Sequence, residues 1–460
     1  MAITTSLTTI IKRFVAPALP MPTPQYEVDY FQRLNNVLRL YFNQLDQLLA
    51  SIVATSGDTV PVSIGGTNVD AFGRVRVSQP YTLFDSQNRY AADNQFDVST
   101  TGTGTTTFLS NEAAVKMEVT GAGVGSVTRQ TYRSFPYQPG KGLLVLATFV
   151  MDSSQSLNLT QRVGYYNDQN GVFFQRVDGT YSFVLRSYVT GSVSDARTVN
   201  QTDWNGDKLD GTGASGLTLD PTKAQILWMD FEWLGVGSVR CGFVINGEYI
   251  VCHTFNNAND ISNVYMTTAI LPVRYEIKTT TSAVAASMKS ICCSVISEGG
   301  FEQTSIDHVA RRTTVLGTIG TTFLPLVSIR LASGRTGAVV LPNRVQVLPT
   351  TSQNYEVILS KNPTLTGATW AATVPSDSNV EFDVAATAMT GGTIVQTDYV
   401  TASGSGGVQN TSLPNDYNWD LQLGASIAGT SDIYTVGIRT VSGATTGDAV
   451  ASLSFYDLTQ

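Results

Sequence analysis

The hexapeptide Val244-Ile245-Asn246-Gly247-Glu248-Tyr249 constrains the chain most. Asn-Gly accepts the positive φ angles of a tight I′ turn, and strong strand formers flank it on both sides. Around it, apolar, β-branched or aromatic runs recur: Leu143–Met151, Tyr181–Tyr188, Gly242–Ile245 and Tyr249–Thr254. Clusters of Gly, Asn, Asp and Ser bound them. The style continues through Phe323–Leu331, Val345–Leu348, Tyr355–Leu359, Val380–Val384, Trp419–Leu423, Ile433–Arg439 and Ala451–Tyr456. Many short strands with no helical period between them predict sandwiches or jelly rolls.

One segment breaks this pattern. Phe31, Leu34, Leu38, Tyr41, Leu45, Leu48 and Ile52 recur at alternating spacings of three and four, the period of a heptad helix. The helix is expected from Tyr26 to Ala54, ending before Ser56-Gly57. Val37, Leu40, Phe42 and Leu49 widen the apolar stripe beyond a two-residue seam. Packing in cis on the β body, self-association as a trimer, and docking onto a different protein are all compatible with it. Ahead of it, Pro17, Pro20, Pro22 and Pro24 hold the chain extended, as a spacer behind an N-terminal arm.

These signals divide the chain into an arm and spacer (1–25), a helix for attachment or oligomerisation (26–56), a first β-sandwich (57–300) and a second (301–460). The boundary between the two sandwiches is placed at Glu298-Gly299-Gly300, after which the composition becomes rich in Thr and Gly and lacks Cys.

Charged residues are only 14% of the 460, against about 25% in ordinary soluble domains. The net charge is −8. A charge-poor, mildly acidic chain argues against nucleic-acid partners, which need clustered cations. No apolar run approaches the roughly 18 residues of a membrane span, so no membrane insertion is expected. Lys12 and Arg13 follow the first apolar stretch, unlike a secretory signal, and synthesis in the cytoplasm is the expectation.

Candidate chemistry is sparse. Cys292 and Cys293 are adjacent, so on a strand they face opposite ways; buried free thiols are expected, with a Cys241–Cys252 bridge the demanding alternative. In DWNGDKLDGTG, Asp203, Asp207 and Asp210 form a candidate Ca²⁺ set, although Lys208 and Ala214 occupy the positions where an EF-hand needs Gly and Glu. The competing reading is an Asx-rich turn whose carboxylates cap local N–H groups. No other cofactor is implied. His253 and His308 lie near no motif-placed nucleophile, and GxSxG, HExxH and Walker A patterns are absent from the sequence. Tyr165, Tyr166, Tyr181, Tyr188 and Trp204 fall near expected turns, where aromatics can stack on sugars; Tyr188 and Trp204 are the candidate glycan contacts.

Two resemblances sharpen this reading. Trp228–Gly235, WMDFEWLG, resembles the acidic strand of laminarinase-type glycoside hydrolases, but Trp228 stands in the nucleophile slot. That leaves Asp230 and Glu232 as a solvated strand face or polar contacts in a groove. The wider stretch FEWLGVGSVRCGFVINGEYIVCHTF resembles the central hairpin of concanavalin- and laminin-G-like sandwiches. The fold expectation is therefore mainly β: an N-terminal heptad-spaced helix, a concanavalin/jelly-roll-like sandwich and a second, C-terminal sandwich.

Asp70–Gln87, Trp204–Asp220, the hairpin stretch Phe231–Phe255, Ile291–Gly300 and the helical segment Tyr26–Asp46 are similar to segments of tailed-bacteriophage virion structural proteins. The similarity extends less distinctly through Asn362–Trp370. It implies a non-enzymatic virion protein, assembled in the host cytoplasm. A homotrimeric fibre-like appendage is expected, anchored to capsid, portal, collar or tail proteins by its arm and helix and touching host surface glycans. A polysaccharide depolymerase tailspike and a capsid decoration (cement) protein are the alternatives.

Overall fold

The structure, a computed structural model, describes residues 31–39, 42, 79–152, 157–281, 285–302, 305–372, 378–401, 409–412, 419–441, 443 and 446–459. The chain divides into two compact units, Met1–Ile64 and Gly65–Gln460. In the first, residues 31–39 and 42 are helical; Leu34, Val37 and Leu38 are half-buried, whereas Phe31 and Phe42 are exposed. Tyr41, Leu45, Leu48 and Ile52 lie outside the described residues. No helix among the described residues is long and apolar enough to cross a membrane.

The second unit is built from antiparallel sheets. Its first half pairs an eight-stranded sheet with a seven-stranded one. Neighbour to neighbour, the eight-stranded sheet runs Glu248–Phe255, Val239–Ile245, Gln225–Phe231, Leu143–Met151, Ala286–Ser297, Ala114–Val119 and Gly104–Leu109, with Tyr81–Gln87 also pairing on Ala286–Ser297. The facing sheet runs Ser194–Asn200, Thr180–Ser187, Gly171–Val177, Leu159–Tyr166, Val273–Thr279, Gly125–Thr131 and Phe96–Gly102. This is a two-layer sandwich of the concanavalin/jelly-roll kind. Strand alternation explains it: Leu143, Val145, Ala147, Phe149 and Met151 all point inward and are buried. They meet Val163, Tyr165, Tyr275 and Ile277 of the other sheet in one apolar core. Asn246 and Gly247 both have positive φ (54° and 83°), so the hairpin closes with Ile245 opposite Glu248, as the Asn-Gly signal requires.

A second sandwich follows. Asp307–Ile319, Gly447–Asp457, Val340–Pro349 and Gln409–Ser412 form one sheet. Ala371–Ala372, Val380–Asp383, Leu324–Leu331, Ile433–Thr440, Asn354–Lys361 and Thr393–Thr401 form the other. Leu326, Tyr355, Val436 and Phe455 are among the residues of its own core.

One sequence expectation changes here. Trp419–Leu423 is a 3₁₀ turn, Trp419–Leu421, and a connecting stretch, not a strand. Its apolar residues are buried for another reason: they join the sandwiches. Trp419 belongs to the first core, together with Val339 and Leu341. Its ring meets Phe301 edge-on at 4.8 Å and its Nε1–H donates to the Tyr81 hydroxyl at 2.9 Å. Arg133 donates to the Trp419 carbonyl, Gln422 to the Ser134 carbonyl at 2.7 Å, and the Ala425 N–H to the Tyr132 carbonyl at 2.8 Å. Buried and part-buried hydrogen bonds of this density weld the two halves.

Candidate functional site

Beside that weld the surface opens into a cleft of about 440 Å³. Its walls come from three connections that lie outside the sheets. After strand Gly125–Thr131 the chain passes through Phe135-Pro136-Tyr137-Gln138-Pro139, and the prolines keep it extended and out of either ladder. The buried Tyr165 hydroxyl pins this wall to the next. It lies 2.8 Å from the Phe135 carbonyl and 2.9 Å from the Ala269 carbonyl, and accepts the Leu271 N–H at 3.0 Å. Burial pushes that phenol's pKa far up, so it stays a neutral hydrogen-bonding group.

Trp233 supplies the third wall. It follows strand Gln225–Phe231 in a turn where Leu234 and Gly235 take positive φ, and it stays half-buried. Its Nε1–H donates to the Met266 carbonyl at 3.1 Å, and the edge of Tyr137 meets it at 6.4 Å and 82°. The indole is therefore fixed from two sides. Phe301, half-buried, faces the same space. Polar groups converge on the rim: the Glu302 N–H donates to Gln138 Oε1 at 2.9 Å, Lys141 Nζ to the same oxygen at 3.1 Å, and Lys141 lies 3.7 Å from the Glu302 carboxylate. Leu458 and Thr459 of the second sandwich complete the lining. Rigid aromatic rings, a polar rim and a position between two sandwiches are the features of a ligand site.

A neighbouring cleft of about 730 Å³ is polar, and its charges are engaged. Asp432 accepts from Asn362 Nδ2 at 2.7 Å and the Gly424 N–H at 3.1 Å, and pairs with Lys361 at 3.0 Å. Arg133 bonds Trp419 and Gln95 and lies 3.8 Å from Asp420. Those groups hold the junction together.

The outer face of the seven-stranded sheet carries a network that no motif signalled. Tyr166 and Phe173 pack at 4.5 Å with their rings tilted by 39°, and Arg162, Arg186 and Arg274 lie over them at 5.1–5.9 Å. Burial pushes the Glu276 carboxyl up, but Lys278, Arg162 and Arg274 outweigh it and hold the group ionised, below its ordinary range. Arg186 makes a two-pronged pair with Asp195, both bonds at 2.8 Å. Tyr165 and Tyr166 end strand Leu159–Tyr166 directly before the turn at 167–170, where the sequence places them, but both are fully buried.

Several expected site residues take other roles. Trp204 is not a surface platform: it is 2% exposed, packs on Phe183 at 4.7 Å and donates to the Val199 carbonyl at 3.2 Å. Tyr188 lies half-buried just past strand Thr180–Ser187. The aspartates of the candidate Ca²⁺ set serve their own loop. Asp207 accepts the N–H groups of Leu209 at 2.9 Å and Ser215 at 2.6 Å. Burial raises its pKa, but those N–H bonds prevail and lower it. Asp210 accepts from the Thr212 hydroxyl and N–H, while Asp203 ends a 3₁₀ turn and is exposed. Among the described residues no three His, Cys, Asp or Glu gather as a metal set. The Asx-turn reading accounts for the bonds present.

Asp230 is not on a solvated face. It is fully buried and ion-paired with Arg240, while Trp228, also fully buried, donates to the Ile250 carbonyl at 3.2 Å. Glu232 lies beyond the last residue of the strand, Phe231. The cysteines are free thiols; Cys241, Cys252 and Cys293 are buried and Cys292 half-buried. His253 packs edge-on against Phe255 at 4.5 Å, and its Nδ1 accepts the Asn205 N–H at 3.3 Å. His308 stacks on Phe455 at 5.6 Å.

No family model and no curated protein matches the chain. Solved structures do. The carbohydrate recognition domain of Emp47p matches 49% of this chain and 99% of its own at 8% identity, with a TM-score of 0.31. The cellulose induced protein Cip1 matches 46% of this chain and 96% of its own at 12% identity (TM-score 0.28). A glycosyl hydrolase family protein from Mycobacterium fortuitum matches 47% of this chain and 99% of its own at 8% identity (TM-score 0.29). Likeness this distant leaves the functional reading to the residues of this chain.

Proposed function

We propose that this chain is a non-enzymatic structural protein of a tailed-phage particle: a homotrimeric fibre-like appendage, held to head or tail proteins through residues 1–56, whose β body touches a host glycan. The observation that carries this reading is the form of the body itself. Two sandwiches are welded by buried and part-buried hydrogen bonds, and the opening beside the weld offers fixed aromatic rings to solvent. Such a body suits holding and contacting. The acidic strand that motivates the depolymerase alternative supplies no opposed pair of free carboxyl groups, since Asp230 is spent on Arg240.

The similarity of Asp70–Gln87, Trp204–Asp220 and Ile291–Gly300 to virion proteins supports the particle assignment. The helical residues 31–39, with Leu34 and Leu38 on the heptad stripe, support an association module.

Solution mass of the full chain and of a chain lacking residues 1–56 tests the assembly. A trimer that becomes a monomer on truncation is expected; a truncated chain that stays trimeric moves self-association to the β body and refutes the anchoring role. Release of sugar from host polysaccharide, lost in Glu232→Gln, would establish the depolymerase instead. Hundreds of copies per purified particle, in place of tens, would establish the cement protein.

A further inference from the structure

We propose that the aromatic cleft at the sandwich junction holds a pyranose unit of a neutral glycan, stacked on Trp233. This rests on the glycan-contact part of the reading above and places it at residues that the sequence did not single out. A pyranose presents an apolar C–H face and a girdle of hydroxyls. Its recognition needs a fixed aromatic face and, at the ring edge, both donors and acceptors.

The cleft has both. Trp233 cannot swing away, because Met266 holds its Nε1–H and Tyr137 abuts its ring. Gln138, Lys141 and Glu302 stand together at the rim. Lys141 and Glu302 cancel in charge, so the rim offers a donor and an acceptor with no net attraction for an anion. That favours a neutral sugar over a uronate. A proline-rich peptide would need roughly parallel aromatic ridges along its groove, whereas Tyr137 and Trp233 stand at 82°. The volume, about 440 Å³, falls in the range of small-ligand sites, about 300–1,000 Å³. Because Leu458 and Thr459 of the second sandwich share the lining with Trp233 of the first, an occupant also bridges the halves and should raise the melting temperature.

The test uses the full chain and five probes: maltohexaose, cellohexaose, mannohexaose, hexagalacturonate and decaproline. Binding is read by titration calorimetry and by tryptophan fluorescence. At least one neutral hexasaccharide should bind and raise the melting temperature. Trp233→Ala should weaken it about tenfold or more. Trp233→Phe, which keeps an aromatic face and guards against a folding defect, should lose less. Tyr90→Ala, at a remote exposed ring (89% exposed), should bind as the native chain does. Failure of all three neutral sugars overturns the proposal, as does binding that Trp233→Ala leaves intact, or binding of hexagalacturonate or decaproline alone. The mass experiment with residues 1–56 removed is independent of these outcomes. A trimer that depends on residues 1–56 but binds no sugar would leave the appendage standing without this site.

Discussion

Replacing Trp419 by Ala tests whether the two sandwiches are one mechanical body. The side chain is 7% exposed and has three attachments: membership of the first core, edge-on contact with Phe301, and a hydrogen bond to Tyr81. A buried indole covers about 150–200 Å² of apolar surface, which at about 25 cal/mol per Å² is roughly 4–5 kcal/mol. The hydrogen bond adds about 1 kcal/mol. Trp419 also lines a small open pocket with Arg133 and Asp420, so water can fill part of the space left behind. That pulls the expected loss back to about 3–4 kcal/mol, near the usual cost of truncating a core aromatic. Urea denaturation followed separately by fluorescence and far-ultraviolet dichroism is the assay. Tyr81→Phe, which removes only the hydrogen bond, should lose about 1 kcal/mol, and Trp419→Phe an intermediate amount. In Trp419→Ala the two probes should separate, because the halves then unfold apart. A loss below about 1 kcal/mol with the transitions still coincident would refute the weld.

Other expectations follow from single groups. Burial lowers the His253 pKa to about 4, with Arg197 adding to the effect, against about 6.5 when unfolded. As pH falls through that window the unfolded chain takes up a proton that the folded chain refuses. Stability should therefore drop by on the order of 2–3 kcal/mol between pH 6.5 and 4, a component absent from His253→Gln when its pH–stability curve is subtracted from the native one. Arg240→Met strips the cation from the buried Asp230 and should cost about 3 kcal/mol, most of it recovered when Asp230→Leu is added; an unrecovered double variant would contradict the pairing. A thiol reagent should modify Cys292 first and the other three cysteines only on unfolding, read as labelling stoichiometry over time. Asp207→Ala should lower stability by about 1 kcal/mol through its lost N–H bonds, and a chelator should leave the native melting curve in place; a chelator-induced drop would restore the Ca²⁺ reading.

Local patterns made the β class legible. The Asn246-Gly247 turn and the alternation along Leu143–Met151 need only near neighbours to specify them, since φ preference and side-chain period are properties of a few consecutive residues. Strands such as Asp307–Ile319 carry no legible apolar period, because exposed Asp, Arg and Thr interrupt it. For the aromatics, a linear string carries hydrophobicity without address. Trp204 and Trp233 look alike in a string, yet one is sealed beneath Phe183 and the other lines an opening. Trp419 read as a strand residue and became the junction between two cores. So the chain's order of residues determined by itself that it would form antiparallel sheets and where one tight turn would close. Only the tertiary structure decided which rings meet solvent, which carboxylates are spent on arginines, and where a cleft opens, because those depend on contacts between different strands and loops, from the 10 residues that separate Asp230 from Arg240 to the 338 that separate Tyr81 from Trp419.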